Sequence, residues 1–330
     1  MKLIKPSFEI REQPSGLEGV YKQIEGAGRV CYKSEDKIAE GTAKAFVDRM
    51  IASGHGAMLE HGTVYLKCET EVINRYIHPE DGEEEYFNKL EKYEYNLYSV
   101  TRDDGIYLYV TTNLRVLVEN DWLDDLQYIC EPTEYHEKRI TVQFTCDRVT
   151  GESFLRHRAI DEDHPTIEGE VTRGMESDIN SFARESTRYC NYTKDKFNNQ
   201  FSIILPPEFY ETQSSNTMDC FGKTDDQIFR NMCCSISAGK IDDFQLFETW
   251  YFANLATQWA YNRLISLGWK PQQARRVIPL DIKSPLVMTA FVSDWRHFFE
   301  LRCAANAHPQ ARELAIPLQE EFIARGYINN

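Results

Sequence analysis

Three consecutive residues, Arg156, His157 and Arg158, are the first segment whose residue types indicate chemistry. Neighbouring cations repel one another unless an anion or acidic side chains lie among them. Arginine forks suit the oxygens of phosphates and carboxylates, and histidine exchanges a proton near neutral pH. The triplet therefore indicates an anion-binding turn, although an exposed basic turn would have the same sequence.

A second segment, residues 181–189, places Ser186, Thr187 and Arg188 side by side. Two hydroxyls, the backbone N–H groups and a guanidinium within three residues are typical of a phosphate cradle. A turn or a helix start capped by Ser or Thr is the structural alternative. Arg275 and Arg276 form a third basic pair, just before Pro279, and could also point at an anion.

A fourth segment concerns an arginine at a position where helical periodicity favours an apolar residue. Trp295, Phe298, Phe299 and Arg302 follow the spacing i, i+3, i+4 and i+7 and so share one helix face. A buried arginine is costly unless it is paired or hydrogen-bonded. Arg302 is therefore either a rim residue with a buried stem or a cation held in an apolar pocket for the polar edge of a ligand.

Histidine and cysteine spacing does not predict a metal site. His55 and His61 are six residues apart and do not form the HExxH pattern. The nine cysteines include no Cys-x-x-Cys pair, and an odd number in a long chain argues against a disulfide framework. We expect free thiols in a reducing, cytoplasmic compartment.

Composition limits the classes of partner. The 330 residues include 37 Lys and Arg against 52 Asp and Glu, a formal net charge of −15, which argues against nucleic acid as a ligand. Hydrophobic content of 42% and charged content of 27% are ordinary for a globular protein. Because no run of about 18 apolar residues and no N-terminal apolar signal core is present, we expect neither a membrane partner nor secretion.

The elements that must position these segments are predicted from hydrophobic periodicity. Strands are predicted mostly in the first half of the chain and helices mostly in the second, which indicates a mixed α/β fold. Residues 159–180 carry seven acids and one arginine without periodicity, so we expect a surface insertion there. The predicted helices are 41–52, 114–119, 243–267, 294–306 and 309–325, and the predicted strands are 63–68, 106–110 and 139–146.

Taken in order, these segments resemble the flavin-dependent thymidylate synthases. That family carries Arg-His-Arg followed by a Ser-x-x-x-x-Ser-x-Arg pattern, which here corresponds to Ser181, Ser186 and Arg188. The resemblance runs from about residue 29 to 315 and also includes segments 29–32, 55–61, 274–279 and 298–302. It implies a single α/β domain over residues 1–330, in which a central sheet is flanked by long helices.

The resemblance also implies an activity and a site. The family converts dUMP to dTMP with methylenetetrahydrofolate as carbon donor and FAD-mediated hydride from NADPH, without an enzyme nucleophile. Its members are homotetramers whose active sites are shared between subunits. Arg302 would be catalytic and face the uracil ring. The FAD contacts would be His55, Arg156, His157, Arg158, Arg184 and His297. The dUMP contacts would be Ser153, Arg156, Glu185, Ser186, Thr187, Arg188, Arg275 and Arg302.

Several positions depart from the family pattern. Twenty-two residues, 159–180, separate the two motifs where the family usually has two. Ala183-Arg184 replaces the usual Asn-Glu, Ser153 replaces a Gln, and Phe291 and His297 replace two Asn. Three alternatives stay open: a non-catalytic nucleotide-binding homologue, an inactive homologue, and a pyrimidine methylase that uses Cys190 as its nucleophile.

Overall fold

The computed structural model describes residues 1–71, 73–77, 84–156, 180–210, 224–240 and 245–329 of the chain. Helices and strands both contribute throughout, and the mixed α/β class is confirmed. The strands are Lys2–Ile4 (β1), Ser7–Arg11 (β2), Thr63–Glu69 (β3), Ile73–Ile77 (β4), Glu84–Asn88 (β5), Val100–Asp103 (β6), Tyr107–Asn113 (β7), Arg139–Thr145 (β8), Ser181–Arg184 (β9), Ser202–Ile204 (β10) and Leu286–Phe291 (β11).

The described helices range from single turns to a helix of 21 residues. They are Gly16–Tyr32 (α1), Thr42–Ala52 (α2), Gly56–Leu59 (α3), Leu114–Glu119 (α4), Arg148–Phe154 (α5), Asp225–Ser237 (α6), Leu246–Ser266 (α7), Pro271–Ala274 (α8), Val292–Arg302 (α9) and Pro309–Ala324 (α10). No helix among the described residues is long and apolar enough to span a bilayer.

The described strands pair in four sheets. The largest is four-stranded and antiparallel, with the order β2-β8-β11-β9. Its register places Leu286 opposite both Phe144 and Arg184, so β8 and β9 end where β11 begins. A three-stranded sheet has the order β3-β7-β6, and β1 pairs with β10 and β4 with β5.

The four-stranded sheet has two chemically different faces because side chains alternate along each strand. One face, which we call the aromatic face, presents Val142, Phe144, Leu286, Met288 and Ala290 to α5, α9 and α10. These helices add Phe154, Trp295, Phe298, Phe299 and Phe322 to the same core. The rings lie at centroid distances typical of favourable edge-to-face and offset pairs.

The opposite face, which we call the polar face, lies toward α1. Ala183 and Val287 pack there against Ala27 and Val30 of that helix. A network of hydrogen-bonded residues occupies another part of this face. Its members are Arg139, Thr141, Ser181 and Thr289, all of them buried, together with His61 from the loop before β3.

Helix α1 also belongs to a second core, formed with the three-stranded sheet. Val20 and Ile24 pack there with residues of α2, α4, β3 and β7. Three interior glycines weaken the helical pattern of α1, since glycine disfavours helix. Gly28 is required by packing, because a Cβ there would lie 2.6 Å from the Phe46 ring. The glycines that allow close packing of α1 thus weaken the hydrophobic pattern from which a helix would be predicted.

All eight elements predicted from periodicity are confirmed, with ends that differ by at most four residues from the predicted ones. They are α2, α4, α7, α9 and α10, together with β3, β7 and β8. Helix α1 and strands β9 and β11 were not predicted, and β11 is buried along its whole length. The predicted surface insertion at 159–180 lies almost wholly outside the described residues.

Candidate functional site

Three of the segments singled out in the sequence meet at one end of the four-stranded sheet. Strand β8 ends there and continues into α5, and β9 ends there and continues into residues 185–188. Helix α9 starts at the other end of β11 and runs back along the aromatic face. Its last residue, Arg302, thereby reaches α5. This end of the sheet is the candidate site.

Arg302 is held by the C-terminal turn of α5. Its Nη2 atom donates a hydrogen bond of 2.7 Å to the carbonyl oxygen of Ser153. Trp295, Phe298 and Phe299 are buried, so the predicted apolar stripe is confirmed and Arg302 lies half-buried at its end. Burial, and then the positive charge of Arg156, lower the pKa of Arg302. An arginine remains protonated under such a shift.

Arg156 follows α5 and is exposed. It forms no hydrogen bond or ion pair with any residue that the structure describes. Arg156 and Arg302 are thus two guanidinium groups that repel each other at one place, which favours binding of an anion there. His157 and Arg158, which were predicted to contact FAD with Arg156, lie outside the described residues.

Arg184 turns toward the protein. Its Nε donates to the Ser284 hydroxyl at 2.6 Å, and its Nη2 donates to the Arg148 carbonyl at 3.0 Å. Its Nη1 lies 3.6 Å from a carboxylate oxygen of Glu152. All three nitrogens therefore face protein oxygens, and these contacts hold the first turns of α5 against the end of β9. This orientation does not fit the predicted contact of Arg184 with FAD.

Glu185 also turns inward. It is 3% exposed, and its Oε1 accepts a hydrogen bond of 3.0 Å from the Tyr192 hydroxyl. Burial raises the pKa of Glu185, and the positive charge of Lys283 opposes that shift. Its other carboxylate oxygen, Oε2, is buried and has no hydrogen-bond partner. This geometry anchors the segment and does not present Glu185 as a surface contact for dUMP.

The next three residues form an open turn beside the C-terminus of α1. The Ser186 N–H donates to the Cys31 carbonyl at 2.9 Å, and the Arg188 N–H donates to the Ser186 hydroxyl at 3.3 Å. Thr187 is buried, and Arg188 is exposed with its guanidinium 5.3 Å from the centre of the Tyr189 ring. The turn therefore presents one cation to solvent, as a phosphate-binding turn requires.

An exposed lysine that no motif predicted binds the C-terminus of α1 beside this turn. The Lys196 ammonium donates to the carbonyl oxygens of Tyr32 and Lys33 at 3.0 and 3.1 Å. Cations stabilise helix C-termini because the last carbonyls lack intrahelical partners. Lys196 lies 164 residues from Tyr32 along the chain, so no local pattern indicated the contact.

The remaining predicted site residues lie on separate elements. Arg275 is exposed in the turn after α8, and the chain from there returns to the candidate site, where Leu280 accepts a hydrogen bond from the Arg148 N–H. His55 is exposed before α3, and its Nδ1 lies 3.0 Å from the Ser53 hydroxyl. His297 is half-buried in the middle of α9, with its Nδ1 3.8 Å from a Glu300 carboxylate oxygen.

Cys190 has the environment of a core residue. It is fully buried with Tyr192, Phe201 and Tyr261. Burial, and then the charge of Glu185, raise its pKa to about 12. A cysteine nucleophile needs a lowered pKa and access to substrate. Among the described residues, no group of three His, Cys, Asp or Glu side chains is arranged to hold a metal ion.

Sequence comparison gives a family match. The family model described as thymidylate synthase complementing protein matches residues 136–325, which is more than half of the chain. The flavin-dependent thymidylate synthase of Pyrococcus abyssi is 31% identical over 83 residues, 25% of this chain and 34% of that protein. The one from Synechocystis sp. is 22% identical over 164 residues, 48% of this chain and 65% of that protein. The chain thus spans between a third and two thirds of the length of the curated relatives it matches.

Structure comparison finds the UMP/dUMP methylase PolB from Streptomyces cacaoi. Its crystal structure bound with 5-Br dUMP is 15% identical, with 98% of this chain and 93% of that chain covered and a TM-score of 0.36. The structure bound with 5-Br UMP is 14% identical, with 98% and 91% covered and the same TM-score. At a TM-score of 0.36, residues of this chain are not assigned to individual residues of the methylase. On the extent of the family match, the chain belongs to the family described as thymidylate synthase complementing protein, and the predicted relationship to flavin-dependent thymidylate synthases is confirmed.

Proposed function

We propose that this chain catalyses the reductive methylation of dUMP to dTMP. Methylenetetrahydrofolate would supply the one-carbon unit, and NADPH would supply the hydride through FAD. The observation that carries the proposal is the pair of guanidinium groups, Arg156 and Arg302, at the sheet end that also presents Arg188. Family membership supports the same reaction class. In this reaction carbon 5 of the uracil gains the one-carbon unit and loses its proton to solvent.

The phosphate of dUMP would bind at the turn of residues 186–188. Arg188 supplies an exposed charge beside the Ser186 hydroxyl, and Thr187 would add a second hydroxyl. Arg275, exposed where the chain returns to the same end of the sheet, would add a second cation. Phosphate oxygens accept strong, charge-assisted hydrogen bonds from arginine forks. Glu185 anchors the start of this turn inside the protein, and Lys196 binds the adjacent C-terminus of α1 from the surface.

The uracil ring would lie at Arg302. The Ser153 carbonyl fixes one nitrogen of the guanidinium, so the charge is oriented before substrate binds. Negative charge develops on the uracil ring while carbon 5 forms its new bond. A preorganised donor in a partly buried site stabilises such charge more than water does. Arg302 would therefore act by electrostatic stabilisation, and Ser153 by positioning it.

The residues present fit FAD in part. Arg156, exposed and without a protein partner in the described residues, suits the pyrophosphate of a dinucleotide. His157 and Arg158 join it from the sequence pattern, and His55 and His297 would contribute imidazole contacts. Arg184 does not fit, because its three nitrogens face protein oxygens. When bound, FAD relays hydride between NADPH and the pyrimidine.

We also propose one domain over residues 1–330 and a homotetramer with shared active sites. Packing of α1 into two cores supports the single domain. For the tetramer, Arg156 and Arg302 approach the sheet end from the aromatic face, whereas the 186–188 turn contacts the C-terminus of α1. A second subunit would bring the two parts to one ligand. Light scattering that showed an active, flavin-loaded monomer would contradict this.

The test is tritium release from [5-³H]dUMP with NADPH, FAD and methylenetetrahydrofolate, omitting each in turn. Release should require all of them. Arg302→Ala should keep its flavin and lose kcat by roughly a hundredfold, the scale of one preorganised donor. Arg302→Lys should recover little, because an ammonium lacks the planar fork. Arg296→Ala, at an exposed position of the same helix, is the matched control. Normal turnover by Arg302→Ala would refute the assignment.

The same assay separates the alternatives. Cys190→Ala should retain activity, since a buried thiol with a raised pKa is a poor nucleophile. Complete loss of turnover in a folded, flavin-loaded Cys190→Ala would revive the cysteine mechanism. A non-catalytic or inactive homologue would release no tritium with all components present, and the non-catalytic module would lack the flavin absorption band of the purified enzyme.

A further inference from the structure

A cleft of about 200 Å³ lies at the end of the four-stranded sheet opposite the candidate site. Here β2 ends and β8 begins, as the pairing of Arg11 with Thr141 shows. We call it the N-terminal cleft. The charged residues of its lining are three cations, Arg11, Lys138 and Arg139, and two acids, Glu12 and Glu131. Glu12 is paired with Arg325, so the cations of the cleft outnumber its remaining acid.

Arg11 contributes a half-buried guanidinium. It forms no hydrogen bond or ion pair with any of the described residues. Burial lowers the pKa of Arg11, while the carboxylates of Glu9 and Glu35 oppose that shift. A partly buried cation that lacks an ion-pair partner loses hydration without full compensation.

Arg139 contributes a second, more deeply buried charge at 6% exposure. Its hydrogen bonds within the described residues reach neutral oxygens, the Glu60 carbonyl at 2.9 Å, the Ser181 hydroxyl at 3.0 Å and the Thr63 hydroxyl at 3.4 Å. The carboxylate of Glu60 is paired with Arg115 instead. Burial lowers the pKa of Arg139 to about 10. This part of the interior therefore holds two guanidinium groups, neither of which forms an ion pair with a described carboxylate.

One neutral residue of the cleft also suits an anion. Gln23 is 8% exposed, lines the cleft and forms no hydrogen bond with the described residues, so its amide N–H groups can donate to a ligand there. Beside it, the buried Arg139 Nε has no hydrogen-bond partner among the described residues. The N-terminus of α1 at the same wall already has a carboxylate beside it, because the Ser15 hydroxyl donates to Glu131 at 3.0 Å.

We propose that the N-terminal cleft binds a small oxyanion, either inorganic phosphate or a short dicarboxylate, through Arg11 and Gln23. Its volume lies below the ~300 Å³ at which pockets for drug-sized ligands usually begin, which favours a small ligand. The cleft lies at the end of the sheet opposite the proposed dUMP site, so the proposal does not depend on the proposed function.

The experiment is calorimetric titration in an oxyanion-free buffer at low salt, with inorganic phosphate in one arm and succinate in the other. Phosphate also suits the 186–188 turn, so every titration uses the Arg188→Gln background. Saturable binding is expected, with at least a tenfold loss in Arg11→Met from a missing charge-assisted hydrogen bond. Gln23→Leu should bind severalfold more weakly. Arg49→Met, which removes an exposed arginine of α2, is the matched control.

A second measurement does not need the ligand. In oxyanion-free buffer, Arg11→Met should melt at a higher temperature than the parent, because it removes an unpaired buried cation. Binding of only one anion would support the site and identify its ligand class. The proposal is overturned by no saturable binding of either anion up to about 10 mM, a range that reaches millimolar affinities. Unchanged affinity in Arg11→Met, or a lower melting temperature, would overturn it equally.

Discussion

The two faces of the four-stranded sheet are made by alternate residues of the same strands, yet they are stabilised by different interactions. The aromatic face buries rings, such as Phe144 and Phe298, whose centroids lie 6.2 Å apart. The polar face is joined by directed bonds, with the Thr289 hydroxyl 2.8 Å from both Thr141 and His61. Apolar burial is non-directional, whereas buried hydrogen bonds specify one geometry. The aromatic face therefore contributes most of the free energy of folding, and the polar face specifies the register of the strands.

Each face also leads to a different part of the candidate site. The aromatic face holds α5 and α9, which carry Arg156 and Arg302. The polar face holds β9 through the bond of Arg139 to Ser181, and β9 leads to the 186–188 turn. Changes on the two faces should therefore differ in size, in pH dependence and in what they disturb.

The largest effect is expected on the aromatic face. Phe298→Ala should lower the free energy of unfolding by about 3–5 kcal/mol, because it removes a fully buried ring and leaves a cavity. Urea denaturation followed by circular dichroism measures it. Leu301→Ala, an exposed position on the same helix, should change stability by less than about 0.5 kcal/mol. Equal losses in the two variants would show that this face is not the main source of stability.

A smaller effect with a distinct signature is expected from His61 on the polar face. Burial, then Arg139, lower its folded-state pKa from 6.5 to about 3. Below pH 6.5 the His61 imidazole therefore binds a proton in the unfolded chain but stays neutral in the folded chain. The free energy of unfolding falls as the pH drops from 6.5 toward 3. At pH 5 the loss is about 2 kcal/mol relative to pH 8.

The measurement compares the wild type with His61→Gln at both pH values. The glutamine variant should lack this part of the acid sensitivity, while the other buried groups, including His136, contribute equally to both proteins. Parallel pH profiles for the two proteins would mean that His61 titrates normally and that the polar face is open to water.

The smallest effect is expected from a single hydrogen bond on the polar face. Thr141→Val removes the bond to Thr289 with little change of shape and should cost about 1 kcal/mol. Thr145→Val is the matched control on the same strand, since the Thr145 side chain is half-buried and forms no hydrogen bond with described residues. A loss in Thr145→Val as large as in Thr141→Val would point to strand propensity instead of the bond.

Local patterns predicted the elements of the aromatic face but not the polar face. Helix α9 was predictable because Trp295, Phe298 and Phe299 repeat at helical spacing within one segment. The members of the polar network come from four distant segments, since His61 bonds to Thr289 across 228 positions. The hydrophobic periodicity of a short segment does not predict a contact between residues so far apart in the sequence.

The candidate site shows the same limit. Motif order predicted that Ser153, Arg156 and Arg302 belong to one site, and the structure brings Ser153 and Arg302 into contact. The same motif did not reveal that Arg184 and Glu185 turn inward. The register of β9 against β11 and the packing around Ser284 and Tyr192 determine those orientations, and both are tertiary properties.

The excursion of the chain through the three-stranded sheet begins and ends at one place. The His136 Nε2 lies 3.0 Å from the Leu66 carbonyl, and the Arg139 N–H donates to the Tyr65 hydroxyl at 3.4 Å. The family match also begins at residue 136. These two hydrogen bonds join the start of β8 to the middle of β3, so the two sheets are coupled at this place. A shift of β8 along β2 and β11 would therefore also break the contacts that hold the three-stranded sheet.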